Sequence, residues 1–225
     1  MNSITFIIAY MHFETRESAG EILAGKLDEY DRDLMYVVAL GPTSVPVANT
    51  IATQLDCEIG LFISSEIELP GQGDEVIGSL NQGGQFVYNS ELSYADRQEL
   101  GAEFRNHIEG KKLEKAHYMN RIVHNNAVID PHQLYDRIVV FVSDGLNNGV
   151  VVESAYTLLK PIRLRKLIAA VPIASVRAID RLHIRVDKIE CLRVVEEIES
   201  LERFYDDNVE LNLSQAMELI NKSRT

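Results

Sequence analysis

Residues 139 to 155 read VVFVSDGLNNGVVVESA, an order of residue types that sets a chemical problem. Four apolar residues, Val139 to Val142, run into Ser143, Asp144 and Gly145. Leu146, Asn147, Asn148 and Gly149 follow, and an amphipathic stretch opens at Val150. This predicts a strand, a tight loop and a helix. In α/β proteins small anions bind at such a loop, because backbone N–H groups and the positive end of the helix dipole converge there. The candidate ligand contacts are therefore Asp144, Gly145, Leu146, Asn147, Asn148, Gly149 and Val150. Asp144 fits a hydroxyl acceptor as well as an Asx-type turn residue. Asn147 and Asn148 before a glycine fit ordinary turn chemistry as well as ligand contact.

Other catalytic chemistry is thinly represented. His107, His117 and His124 lack the i, i+4 spacing of a helical metal site and have no cysteine beside them, which predicts surface histidines and no metal. Ser143 lacks the Gly-x-Ser-x-Gly flanks of a hydrolase elbow, and no lysine-bearing phosphate loop is found. Glu196, Glu197 and Glu199 read as a solvated acidic face. Cys57 and Cys191, each beside apolar segments, read as buried free thiols.

The elements that must position the loop follow from periodicity. Residues 16 to 29, RESAGEILAGKLDE, put Ala19, Ile22, Leu23 and Leu27 on one face of a helix. MYVVAL at 35 to 40 predicts a strand, GPTS at 41 to 44 a loop, and VPVANTIATQL a helix. Later strands are EIGLFI at 58 to 63, the run at 139 to 142, KLIAAV at 166 to 171 and KIECL at 188 to 192. The apolar run Ile4 to Met11 reads as a further strand. Strands alternating with helices imply an α/β fold with a mainly parallel sheet flanked by helices. Turn residues at PGQG and NQGG mark a hairpin insertion over about residues 64 to 92. A charged helical segment spans about 94 to 123, with Leu100, Phe104 and Ile108 spaced by four, and Gly101 and Gly110 as its weak points. A terminal helix is expected over about 213 to 223.

The length of 225 residues fits one domain, residues 1 to 225, carrying that insertion. With 34 Asp and Glu against 22 Lys and Arg, the formal charge of −12 opposes nucleic-acid binding and docking on anionic membranes. The run Ile4 to Met11 lacks the basic flank of a signal peptide and the length of a membrane span. A cytoplasmic protein is expected.

Taken in order, ESAGEILAGKL, VVALGPTSVPVANTIATQL, IGSLNQGGQFVYN, FVSDGLNNG, IAAVPIAS, IECL and FYDDN resemble the type I phosphoribosyltransferases, most closely their bacterial branch of predicted phosphoribosyltransferases. The resemblance spans about residues 13 to 208. It implies transfer of ribose 5-phosphate from phosphoribosyl diphosphate, with Mg²⁺ required only if that diphosphate binds, and it implies a homodimer. It also implies roles: two adjacent acids contact the ribose hydroxyls, and a Thr-Gly pair wraps the 5-phosphate. Here Ser143 replaces the first acid, Asp144 matches the second, Gly145 and Gly149 match the glycines, and Asn148 replaces threonine. In the diphosphate loop Pro42, Thr43 and Ser44 stand where Arg-Gly-Gly is usual, so a bidentate donor is lost and proline removes an N–H. Glu66 falls where the branch carries a cation. Phe204 and Tyr205 match an aromatic pair that covers the site or anchors the tail.

The motif losses at Ser143, Pro42 and Glu66 point to a degenerate phosphoribosyl diphosphate site. The expected function is binding of a small phosphorylated ligand by a regulatory or structural protein with weak or no transferase activity. The alternative is a divergent active phosphoribosyltransferase with an unknown acceptor.

Overall fold

The computed structural model describes residues 12–71, 76–124, 127–208 and 210–223. The strand expected over Ile4 to Met11 lies outside the described residues. In chain order the elements are α1 (Arg16–Leu27), β1 (Met35–Leu40), α2 (Val45–Leu55), β2 (Glu58–Phe62), β3 (Ser64–Glu68), β4 (Val76–Asn81), β5 (Phe86–Tyr88), α3 (Tyr94–Glu103) and α4 (Arg105–Ile122). After these come β6 (Ile138–Val142), α5 (Val150–Leu159), β7 (Lys166–Ser175), α6 (Val176–Arg185), β8 (Lys188–Val195) and α7 (Leu213–Ser223). A five-stranded sheet runs in the order β2-β1-β6-β7-β8, and every neighbouring pair is parallel. The chain thus has the mixed α/β architecture expected of it, a parallel sheet flanked by helices.

The strand sequences are apolar on both sides because helices cover both faces. Met35, Val37 and Ala39 of β1 and Val140 and Val142 of β6 pack with Leu23, Leu27, Ile51 and Ile220, which belong to α1, α2 and α7. The alternate residues Tyr36, Val38, Val139 and Phe141 pack with Val152, Ala155, Leu159 and Leu182 of α5 and α6. β6 sits at the centre of the sheet, with all five residues buried. Its carboxyl end, where Ser143 begins, is therefore fixed from both sides.

Strands β3, β4 and β5 form a separate antiparallel sheet. It leaves the parallel sheet at the carboxyl end of β2 and has its own small core of Ile67, Leu69, Ile77, Leu92 and Ile108, with Phe86, Leu100 and Phe104 packed against it. The single helical segment anticipated over 94 to 123 is two helices, and the break falls at neither glycine. Phe104, at φ −101° and ψ 20°, separates α3 from α4. Leu100 and Phe104 must both reach the small core, and the chain turns there to let them. The bonds from Phe104 N to Leu100 O and from Ile108 N to Phe104 O, each 2.9 Å, carry the ladder through the turn.

Helix starts are set by side-chain caps. Thr15 and Ser18 form a reciprocal capping box at α1, Ser93 and Asp96 do the same at α3, and Ser175 Oγ accepts from the Ala178 N–H at α6. The box at Thr15 matters most for the site, because it fixes the first turn of α1 and with it Arg16.

Candidate functional site

Asp144 leaves the carboxyl end of β6 with 3% of its surface exposed, and its carboxylate is already bonded. Arg16 Nε donates to Oδ2 at 3.0 Å. Thr43 Oγ1 and Ser44 Oγ each donate to Oδ1 at 3.2 Å. Arg16 is itself buried and is held by Asp207, with Nη1 2.8 Å from Oδ1 and the Arg16 N–H 2.9 Å from Oδ2. The guanidinium also lies 4.5 Å above the centre of the Tyr205 ring. Tyr205 OH donates to the Asp144 carbonyl at 2.6 Å, and its ring stacks on Phe13 at 5.6 Å. Burial, reinforced by the negative charge of Asp144, pushes the Tyr205 phenol far above its usual value and keeps it a neutral donor.

The sequence singled out Asp144, Thr43 and Ser44, and the structure brings them together. Pro42 opens a short 3₁₀ turn, Pro42–Ser44, that delivers the two hydroxyls to the carboxylate. Ser143 turns its hydroxyl along its own loop, donating to Gly145 O at 2.8 Å. Glu66 is on the small sheet, exposed and opposite Ser79 in β4. Tyr205 covers the Asp144 backbone and also ties the tail to Phe13, so the two roles offered for the aromatic pair coexist in it.

The rest of the loop is held as firmly. Leu146 exchanges backbone bonds with β7, Leu146 N to Ile173 O at 3.0 Å and Ser175 N to Leu146 O at 2.9 Å. Asn147 Oδ1 accepts from Ile198 N at 3.2 Å, and Asn147 O accepts from Ser175 Oγ. Asn148 Oδ1 accepts from Val150 N at 3.0 Å, so the first N–H of α5 is capped by a side chain of the loop. Gly149 sits at φ +70°, in the left-handed region that favours glycine, with Arg181 packed close by. A methyl group at Gly145 would lie 2.0 Å from Leu201 Cδ2, which shows how closely the tail covers this residue.

Three residues that sequence reasoning passed over organise this site: Arg16, Asp207 and Arg181. Arg181 is 8% exposed, donates to Asn148 O and reaches Asn89 Oδ1 at 3.1 Å and Glu91 at 3.0 Å, with Glu153 at 4.0 Å. It joins the phosphate-type loop, α5 and the segment following β5.

The remaining candidates stand apart. His107 Nε2 lies 3.0 Å from the Glu68 carbonyl, and His117 and His124 are exposed. Glu197 pairs with Arg177 at 3.1 Å and Glu199 with Arg203. Among the described residues no three His, Cys, Asp or Glu side chains are placed to hold a metal. Cys57 and Cys191 are free and partly exposed, and burial pushes each thiol up to about 11. A cleft of about 560 Å³ beside Cys57, Asp56, Glu58 and Gln133 lies at the amino-terminal edge of the parallel sheet, the end opposite Asp144. No helix among the described residues is long and apolar enough to cross a membrane.

No family model matches the chain. It is 26% identical over 180 residues to the Mycobacterium tuberculosis proteins named "Putative phosphoribosyl transferase Rv0571c" (strain ATCC 25618 / H37Rv) and "Putative phosphoribosyl transferase MT0597" (strain CDC 1551 / Oshkosh), matching 80% of this chain. The chain is thus similar in sequence to proteins named as phosphoribosyl transferases. It spans about two fifths of the length of these curated relatives, the matched region being 40% of each. The crystal structure of TT1426 from Thermus thermophilus has the same fold, with a TM-score of 0.73 and 24% identity over 94% of this chain and 99% of that one.

Proposed function

We propose that the chain binds a small phosphorylated ligand at residues 144 to 150 and serves as a regulatory or structural protein with weak or no transferase activity. The state of Asp144 carries this reading. An ionised carboxylate offers about four lone-pair sites, and here three side-chain donors from Arg16, Thr43 and Ser44 already converge on it. The hydroxyls that could have stood in for a lost arginine at Pro42 are turned to Asp144. Ser143 adds no second carboxylate. An anion held in this loop needs none of these side chains, because it uses the helix dipole and the backbone N–H groups of Asn147, Asn148 and Gly149, those of Gly145, Leu146 and Val150 being bonded within the fold. The chain is read as one phosphoribosyltransferase-like unit, with the small sheet as its hood and a cytoplasmic location. Homodimerisation remains an expectation of the family resemblance.

A divergent transferase, using phosphoribosyl diphosphate and an unidentified acceptor, is the second reading, and the names of the mycobacterial relatives favour it. Mg²⁺ belongs to this reading alone. Around Asp144 the carboxylates are those of Asp144 and Asp207, both paired with the buried Arg16, and Ser143 stands in place of the family's first acid, which fits a cation poorly. Calorimetric titration separates the two. Binding of ribose 5-phosphate as tight as that of phosphoribosyl diphosphate with Mg²⁺ is the expected result. Much tighter diphosphate binding would favour the transferase instead.

A further inference from the structure

The connection between β8 and α7 runs from Glu196 to Asn212, and among its described residues the only regular element is the short turn Leu201–Phe204. Connections longer than about 12–15 residues without structure of their own are uncommon and often act as lids. This one is laid along the candidate ligand loop. Ile198 N donates to Asn147 Oδ1 at 3.2 Å, Leu201 covers Gly145, Tyr205 OH donates to Asp144 O at 2.6 Å, and Asp207 grips Arg16, which grips Asp144. It is moored by Phe13, whose N–H donates to Phe204 O at 2.9 Å and whose carbonyl accepts from Asp206 N at 3.1 Å.

We propose that residues 198 to 207 are a closed latch, with Arg16 its internal cation, and that the latch separates two ligand classes. Its contacts concentrate on Asp144 and Gly145, the ribose end of the loop. Bare phosphate, held by backbone near Gly149 at the head of α5, where the Val150 N–H is already taken by Asn148 Oδ1, leaves these contacts in place. A phosphoribosyl ligand brings hydroxyls that compete with Arg16, Thr43 and Ser44 for the Asp144 carboxylate, beside the backbone that Leu201 and Tyr205 cover, so it must open the latch to bind. This inference rests on the proposed phosphate-ligand function and adds its regulation.

The test uses full-length chain with Tyr205→Phe, which removes one hydrogen bond and keeps the stacked ring, and with Leu201→Ala, which uncovers Gly145. Affinities for inorganic phosphate and ribose 5-phosphate are measured by calorimetry, and amide exchange is followed at residues 144 to 147. Each variant should bind ribose 5-phosphate about three- to tenfold more tightly, the range set by one net hydrogen bond. Phosphate affinity should be unchanged, and exchange at Gly145 should quicken. Phosphate binding with the ribose 5-phosphate to phosphate ratio unaltered overturns the latch and leaves the ligand site standing. Absence of binding by wild type and variants alike overturns both.

Discussion

At the scale of residues, Asp144 and Arg16 decide what the site can do. They lie 128 positions apart in the chain, both are buried, and Arg16 is the charge partner of Asp144 while it also pairs with Asp207. Losing one member of a buried ion pair leaves an uncompensated charge and costs about 3–5 kcal/mol. Asp207 remains to share Arg16, which brings the expectation for Asp144→Asn to about 2–3 kcal/mol of lost stability, read from urea unfolding. A loss under about 0.5 kcal/mol would show that the pair is not formed in solution. Tyr205 makes a second prediction. Its phenol titrates above the ordinary value of 10 in the folded chain. Above pH 10 the unfolded chain therefore holds fewer protons than the folded one, and stability must fall as pH rises. Cys57 and Cys191, raised from 9 to about 11, act in the same direction. Stability should be unaffected by these groups below pH 9 and should decline beyond it, and Tyr205→Phe should flatten the decline above pH 10. An equally steep alkaline decline in that variant would contradict the burial assigned to the phenol.

Among the elements, the strands were readable because each is a short apolar run closed by turn residues, and burial on both faces of β6 accounts for the unbroken run Ile138–Val142. The loop after β6 was readable for the same reason, as its polar residues begin where the run stops. Arg16, Asp207 and Arg181 were not readable, since their partners come from distant elements. Faint signals did exist. A cation in the first turn of α1 opposes the helix dipole and calls for a partner elsewhere. Arg181 shares the buried face of α6 with Ala178 and Leu182, where a charge needs an ion pair. The turn at Phe104 left no such signal, because it follows from packing against a small sheet whose position the local sequence does not encode. Arg181 supplies the prediction at this scale. It links Asn148, Asn89, Glu91 and Glu153. Arg181→Met should cost about 3 kcal/mol by removing the cation beside Glu91 and the buried Glu153 carboxylate, which keeps only its bond from Ser90. It should also quicken amide exchange in β4 and β5 more than in β1. Uniform exchange across both sheets would show that Arg181 does not hold the hood to the loop.

Over the whole molecule, a parallel α/β fold coexists with loop side chains bonded to one another. The parallel sheet and its flanking helices match the fold of the Thermus thermophilus structure, while side chains in the loops turn inward: Thr43 and Ser44 to Asp144, Ser143 to Gly145, and Asn148 to the head of α5. The outline was legible from ordered motifs in the sequence. The inward turn was not, because the same residue types at the same positions would also serve an open site. A net charge of −12 adds a general bias against a diphosphate, so local backbone donors must outweigh a repulsive field. The most direct test of this account is an amide NMR titration of the full chain with ribose 5-phosphate and, separately, with phosphoribosyl diphosphate and Mg²⁺. The account predicts shifts centred on Gly145 to Val151 for both ligands, with midpoints within about threefold of each other, a difference under about 1 kcal/mol. No shift at Gly149 with either ligand, or a diphosphate midpoint a hundredfold lower, would contradict it.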